Sequence, residues 1–218
     1  MIQKDTLTFL NDVAVNNNRE WFAEHKERYE AAREDMLAFI DQLIPELSAI
    51  DPAFPADISA KRCLMRIYRD IRFSKNKDPY KTNFGTSFRM KGVSEPEYYL
   101  HVQPGKSFLA AGFWMPEADI LKKIREEIDY NTSEFEAIVG AREFGSLFKL
   151  SEEDKLKKAP KGYEHDHPAI ELLKLKSYIA ICPLRDEELL KKDIVKKLKT
   201  AFSAVYPFVL FLRNAVAQ

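Results

Sequence analysis

The chain has no charge to spare. Lys and Arg number 34, Asp and Glu number 34, and the formal net charge is +0. A neutral protein has no global pull toward nucleic acid or an anionic membrane, so any such attraction must be local. Long hydrophobic runs are also missing. The longest, Ala204 to Leu212, contains Pro207 and stops at Arg213, far short of the roughly 20 residues that span a bilayer. The opening MIQKDTLTFLNDV has no long apolar stretch and no small-residue cleavage site, so it does not read as a signal peptide. Cysteine is scarce. Cys63 and Cys182 lack CxxC or any metal-ligand spacing and sit in apolar, strand-like settings, which reads as two reduced core thiols. There is no internal repeat and no low-complexity tract. A soluble, cytoplasmic protein without a membrane partner fits, and neither a cofactor nor a metal is predicted.

What is present is enough for a core. Of 218 residues, 45% are hydrophobic and 31% charged, which is a globular rather than a disordered balance. Residues 4–49 read as helices. Leu7, Phe9, Leu10 and Val13 make one apolar stripe, and Asn17 or Asn18 can cap a second helix carrying Trp21, Phe22, Tyr29, Met36, Leu37, Ile40, Leu43, Ile44 and Leu47. Residues 62–115 change character, with strands expected at about 63–73, 84–91, 97–103 and 107–114 and turns at Lys91-Gly92 and Pro104-Gly105. The first of these also fits a helical stripe through Leu64, Ile67, Tyr68 and Ile71. The alternation of Ile67, Ile71 and Phe73 with Arg66, Tyr68, Asp70 and Arg72 favours the strand.

Residues 116–218 read as mainly helical. Pro116 opens a helix in its first turn, Ser133 and Glu136 resemble a capping box, and Pro168 to Lys174 is a short helix. A late strand follows at 177–182, then helix from 186 to 217 interrupted or kinked at Pro207. Strands and helices are segregated. The expected fold is α+β, one domain over 1–218, with an antiparallel meander sheet and helices packed on one face.

The informative asymmetry is local. Between Lys61 and Lys91 stand ten bases and only two acids, Asp70 and Asp78, so the rest of this neutral chain carries the compensating negative charge. Arg66, Arg69 and Arg72 offer planar, bidentate bonds to carboxylate or phosphate, while Lys75, Lys77 and Lys81 act as mobile point charges. Three readings stay open. The cations pair with acids elsewhere in the fold, they hold a small anion, or they form a surface for nucleic acid.

Period-2 alternation extends the case. Gly85, Ser87 and Arg89 share one side of their strand and Phe84, Thr86, Phe88 and Met90 the other, while Tyr99, His101 and Gln103 oppose Tyr98, Leu100 and Val102. One sheet face is then apolar. The other presents Arg, Tyr, Asp, Gly, Ser, His and Gln, with small residues leaving room for a ligand. On this reading Arg66, Arg69, Arg72, Lys75, Lys77 and Lys81 hold an anionic, phosphate-bearing ligand. Tyr68, Tyr80 and Tyr99 orient or stack it, Ser87 lines the face, and Asp70 and His101 are the acid–base candidates. The alternative is an interaction module that binds single-stranded nucleic acid or an acidic protein through the same patch. No reaction is named by these residues.

A second patch, PKGYEHDHP, holds His165, Asp166 and His167. They can serve as a proton relay behind the first candidates, but HxH alone is weak for a metal, and Asp166 or His167 can simply cap the helix at Pro168. Two motifs mislead. PGKS, Pro104 to Ser107, lacks the earlier glycine of a phosphate-binding loop, has Leu100 in its place, and precedes a strand, so it is a turn. NNNREWF, Asn16 to Phe22, reads as a helix start with Trp21 in the core.

Four stretches carry a family resemblance: FLNDVAVNNNREWFAEHKERYE, RIYRDIRFSKNKDPYKTNFG, YYLHVQPGKSFLAAGFWMP and PKGYEHDHPAIELLKLKSY. Together they resemble the Domain of Unknown Function 2461 family through nearly the whole chain. The resemblance implies a soluble single-domain protein and transfers no catalytic residue. It implies that Arg69, Asp70, Arg72, Phe73, Ser74, Lys75, Pro79, Tyr80 and Lys81 form the family signature here, with Asn76 standing where an acid is common.

Overall fold

The computed structural model describes residues 1–89 and 95–217. It is 50% helical with a five-stranded antiparallel open sheet, an α+β fold. In chain order the elements are α1 (Lys4–Val15), α2 (Arg19–Glu24), α3 (Lys26–Ile50), α4 (Ala60–Cys63), β1 (Phe84–Phe88), β2 (Glu97–Val102), β3 (Ser107–Phe113), α5 (Ala118–Tyr130), α6 (Thr132–Gly140), α7 (Arg142–Leu147), β4 (Lys149–Leu150), α8 (Ile170–Leu173), β5 (Tyr178–Leu184), α9 (Asp186–Leu189) and α10 (Ile194–Ala217). The sheet order is β1-β2-β3-β5-β4. The expected meander is β1 to β3, and the expected late strand joins it as β5. The two-residue β4, with Lys149 opposite Ile181, is too short to leave a sequence pattern. The expected turn at Lys91-Gly92 lies outside the described residues.

The chain divides into two compact units. The first comprises Met1–Phe88, Tyr99–Leu109 and Pro183–Thr200. Its helices follow the apolar stripes: Phe9, Leu10 and Val13 of α1 and Met36, Ile40, Leu43 and Leu47 of α3 are buried. The Asp35 carboxylate ties α1 to α3 by accepting from the Gln3 N–H (2.8 Å) and the Thr6 hydroxyl (2.6 Å). Asn18 caps α2, its side chain accepting from the Trp21 N–H at 2.9 Å. The stripe read as one second helix breaks at His25, so α2 and α3 are separate.

The second unit comprises Arg89–Tyr98, Ala110–Cys182 and Ala201–Gln218. Its core is aromatic: Phe135 packs on Tyr178, Phe208 and Phe211, and Phe144 on Phe148 and Phe208. Gly112 is obligatory there. Its φ is +123°, and a Cβ would lie 2.0 Å from the Tyr178 carbonyl oxygen. Pro116 stands before the Glu117 cap of α5 rather than in the first turn, and α6 starts at Thr132, which places Ser133 inside the helix instead of in a capping box. The helix expected at 168–174 is the single turn α8.

α10 runs through Pro207 without a break. Pro207 and Ser203, whose carbonyl loses its helical donor, both face solvent, where water can replace the bond. By length and composition α10 could cross a membrane, with a mean hydropathy of 1.3. Phe202, Val205, Phe208, Val209 and Leu212 on it are fully buried in the protein.

The main correction concerns 63–73. It is not a strand. α4 ends at Cys63, and among the described residues the stretch pairs with the sheet through an isolated bridge from Leu64 to Thr86 rather than a ladder. The alternation misled because, of the apolar set Ile67, Ile71 and Phe73, only Ile67 is buried, whereas Phe73 is 95% exposed. The Asp70 side chain also accepts from the Arg72 N–H at 3.2 Å, a local bond that competes with a β ladder. Arg66, Asp70 and Arg72 therefore do not share a sheet face with Ser87 and His101.

Candidate functional site

Residues 66–82 form a projecting arm whose two sides pair briefly at its base. Tyr68 bridges Tyr80, the Arg69 N–H donates to the Pro79 carbonyl at 2.9 Å, and the Lys81 N–H to the Ile67 carbonyl at 2.7 Å. Asn17 anchors the returning side twice. Its amide nitrogen donates to the Tyr80 carbonyl and its oxygen accepts from the Tyr80 N–H, both at 3.0 Å. The Tyr80 ring is buried and lies flat on Phe22, with centroids 3.9 Å apart. Tyr80 is thus spent on the fold, although its residue still lines the pocket described below. Tyr68 packs at 5.3 Å from Tyr80 and stays half exposed.

Beyond the base, side chains brace the arm. The Arg69 guanidinium donates to the Asp78 carbonyl (3.2 Å) and the Ser74 hydroxyl (3.3 Å). The Lys77 ammonium donates to the Ile71 carbonyl at 3.0 Å, and the Asp78 N–H to the Asn76 side chain at 2.8 Å. Arg72 grips Asp70 with two guanidinium bonds, Nε to Oδ1 at 3.0 Å and Nη2 to Oδ2 at 2.7 Å. These bonds, and then the Arg66 charge, hold the Asp70 carboxyl below its usual range. The pair is exposed, so Asp70 is a surface counter-charge and not a buried anchor.

Arg72 is the exception among the arm's cations. Arg66, Arg69, Lys75, Lys77 and Lys81 have no ion-pair partner among the described residues. The acid-rich helices do not compensate them: Asp12 pairs with Arg28 and Glu46 with Lys199. Lys81 feels this most. Burial first, and the Arg66 charge second, push its ammonium below the usual lysine value. Lys81, Thr82 and Asn83 lead from the arm into β1. Together with Asn17, Arg69, Asn76, Asp78 and Tyr80 they line an open, polar pocket of about 220 Å³.

The pocket adjoins the polar face of β2 through Thr82 and Asn83. The Gln103 amide nitrogen donates to the Thr82 hydroxyl at 3.2 Å, leaving its oxygen as acceptor for His101 Nε2 at 2.9 Å. His101 Nε2 therefore carries the proton. Nδ1 accepts, with the Tyr99 hydroxyl at 3.2 Å and the Asn83 amide at 3.4 Å as donors. The imidazole stacks on Phe108, centroids 4.7 Å apart. Burial lowers the His101 pKa, the Gln103 bond opposes that, and the Lys81 charge lowers it further, so the ring is neutral near pH 7. Gly85 makes room for Tyr99. A Cβ there would stand 2.6 Å from the Tyr99 hydroxyl and 3.1 Å from the Met65 sulfur.

The arrangement can present positive charge and several hydrogen-bond donors and acceptors to an anion beside a neutral histidine. Of the residues singled out in the sequence, Arg69, Tyr80 and Lys81 line the pocket, and Tyr99 and His101 adjoin it. Arg66 acts on it through its charge. Lys75 and Lys77 lie on the exposed part of the arm, and Ser87 is half-buried on the Gly85 side of β1 without a resolved role. The sequence pattern does not single out Asn17, Thr82, Asn83 or Gln103 as site residues. Extending the period-2 pattern back from Ser87 and Gly85 reaches Asn83, a signal that was there to be read.

The other patch belongs to the second unit. His165 is exposed. His167 accepts from the Ala169 N–H through Nδ1 (3.1 Å) and donates to Asp129 through Nε2 (2.8 Å), so both ring nitrogens hold the turn before α8. Among the described residues no three His, Cys, Asp or Glu side chains gather to hold a metal. The PGKS segment is the expected turn: Gly105 has φ +70° and its N–H is taken by the Asp186 carboxylate at 3.0 Å.

These features define an α+β protein with a basic arm, most of whose cations lack an ion-pair partner among the described residues, beside a polar sheet face. The chain belongs to the family described as conserved hypothetical protein DUF2461, whose model matches residues 5–211. Searches of curated proteins and of solved structures found no match.

Proposed function

We propose that this protein binds a small anionic, phosphate-bearing ligand at the Lys81 pocket. The observation that carries the reading is Lys81 itself. It is half-buried, has no acidic partner among the described residues, and carries a pKa lowered by burial and by Arg66. Keeping such a charge costs stability unless a ligand compensates it. In this reading Lys81, Arg66 and Arg69 supply charge. Thr82, Asn83 and Asn17 supply hydrogen bonds, and Tyr99 and Gln103 fix the neutral His101 as the titratable group beside the ligand. The same reading places the protein in the cytoplasm, where the buried thiols Cys63 and Cys182 stay reduced.

Thermal unfolding tests it. Phosphate should raise the melting temperature above that in chloride at equal ionic strength, with stabilisation near 1.4 kcal/mol when phosphate reaches about ten times its dissociation constant. Identical melting in phosphate and chloride, together with no heat of binding by calorimetry, would rule the reading out.

A further inference from the structure

The pocket holds about 220 Å³, less than the roughly 300–1,000 Å³ of sites that enclose a drug-sized ligand. Whatever bears the anion must leave through the open mouth. Arg69, Asn76 and Asp78, which line that pocket, belong to the arm, so the emerging ligand meets the arm. The arm carries Phe73, 95% exposed. This phenylalanine is not on a loose tail, because Arg69, Arg72, Asn76 and Lys77 brace the segment around it by side-chain hydrogen bonds. The Arg72 guanidinium lies 5.9 Å from the ring centre, and Lys75 stands two residues further along without an acidic partner among the described residues.

We propose that the phosphate-bearing ligand is a single-stranded nucleic acid, with one phosphate in the Lys81 pocket and a neighbouring base stacked on Phe73. The inference rests on the anion reading above. Interleaved cations and an open aromatic ring are how proteins hold single strands, because every base offers a π face and every nucleotide a phosphate. An acidic peptide would match the charge but brings no regular series of planar groups for Phe73. Contacts to backbone and ring face alone make the binding tolerant of sequence.

The test uses the full chain and fluorescence anisotropy with a labelled oligothymidylate of about ten nucleotides, within the usual site sizes. The oligonucleotide should bind at least tenfold more tightly than inorganic phosphate and weaken steeply with salt. Phe73→Ala, at a position too exposed to disturb folding, should weaken the oligonucleotide roughly 5- to 100-fold and leave phosphate affinity unchanged. Phe73→Trp should retain binding. Preference for a 5′-phosphorylated strand supports capture of a terminal phosphate, and equal affinity supports capture of an internal one. Phosphate binding with an oligonucleotide no tighter, or a Phe73→Ala protein equal to wild type, overturns the inference while the anion reading stands. So does displacement of the strand by an acidic peptide of equal length. Absence of phosphate binding removes the anion reading itself, and the inference with it.

Discussion

Two lysine-bearing regions of this chain look alike in sequence and have opposite surroundings. In the polar segment after β4, Lys155 reaches Glu152 at 2.7 Å and Glu171 at 3.0 Å, and Lys174 shares Glu171 at 2.7 Å. Those hydrogen bonds hold the Lys155 pKa above its ordinary value. At the arm, Lys81 has no ion-pair partner among the described residues, and burial drives its pKa the other way. One lysine is a strut whose charge the protein has balanced. The other keeps a charge that no acid within ion-pair distance balances among the described residues. A count of bases cannot separate the two cases, because compensation depends on which acids the fold brings near.

The widest separation should come from removing each charge in turn. Lys81→Gln should weaken phosphate about 10- to 100-fold, the scale of losing one charge-assisted hydrogen bond, while raising the melting temperature because Arg66 no longer faces a like charge. Lys155→Ala should do the reverse, leaving phosphate affinity intact and costing about 1 kcal/mol of stability. Calorimetry and thermal melts on the two proteins measure both quantities. A Lys81→Gln protein that melts lower and binds phosphate normally would erase the contrast.

Asn17 comes next. Asn17→Ala removes both bonds to the Tyr80 backbone and should destabilise by about 1–3 kcal/mol. Hydrogen exchange should quicken in residues 66–82 and hardly change elsewhere. Uniform acceleration across the protein would show that the arm is not held separately by this contact.

A direct titration by NMR of the lysine side chains sharpens the comparison further. Lys81 should titrate below 10.5 and Lys155 above it. The stability consequences have opposite sign. The Lys155 contribution is complete below 10.5 and disappears as pH rises through its raised folded value, whereas the Lys81 penalty is relieved as pH climbs from its lowered folded value toward 10.5. Phosphate should move the Lys81 titration upward and leave Lys155 in place. His101 adds an acid-side check: its pKa is depressed, so stability is greatest above 6.5 and is lost as pH falls from there through the folded value.

The smallest effect is expected at Asp70. Its pair with Arg72 is exposed and local, and such pairs contribute little. Asp70→Asn should melt close to wild type. A large loss that phosphate restores would mean that Asp70 anchors the site, and the arm would need to be redrawn around it.

Much of the fold was legible because periodicity survives where one face is buried. The stripe of Phe9, Leu10 and Val13 reads as helix, and Tyr98, Leu100 and Val102 against Tyr99, His101 and Gln103 reads as strand, since each element packs one side on a core. The arm was misread for the converse reason. Its buried anchors, Ile67 and Tyr80, are too few and too far apart to set a period, and its shape comes from side-chain bonds to local carbonyls and from Asn17 across 63 residues of sequence. The cap at Asn18 was visible as a local rule. The reach of its neighbour Asn17 was not.

The amino-acid sequence by itself determined the α+β class, the meander, and the gathering of cations in one stretch, because these depend on residue order and near-neighbour physics. Only the tertiary structure decided that Tyr80 belongs to the core, that His101 is a neutral ring between Tyr99 and Gln103, and that Lys81 has no ion-pair partner among the described residues while Lys155 has two. Those outcomes follow from burial and from distances between residues far apart in the chain, which periodicity does not encode and folding alone sets.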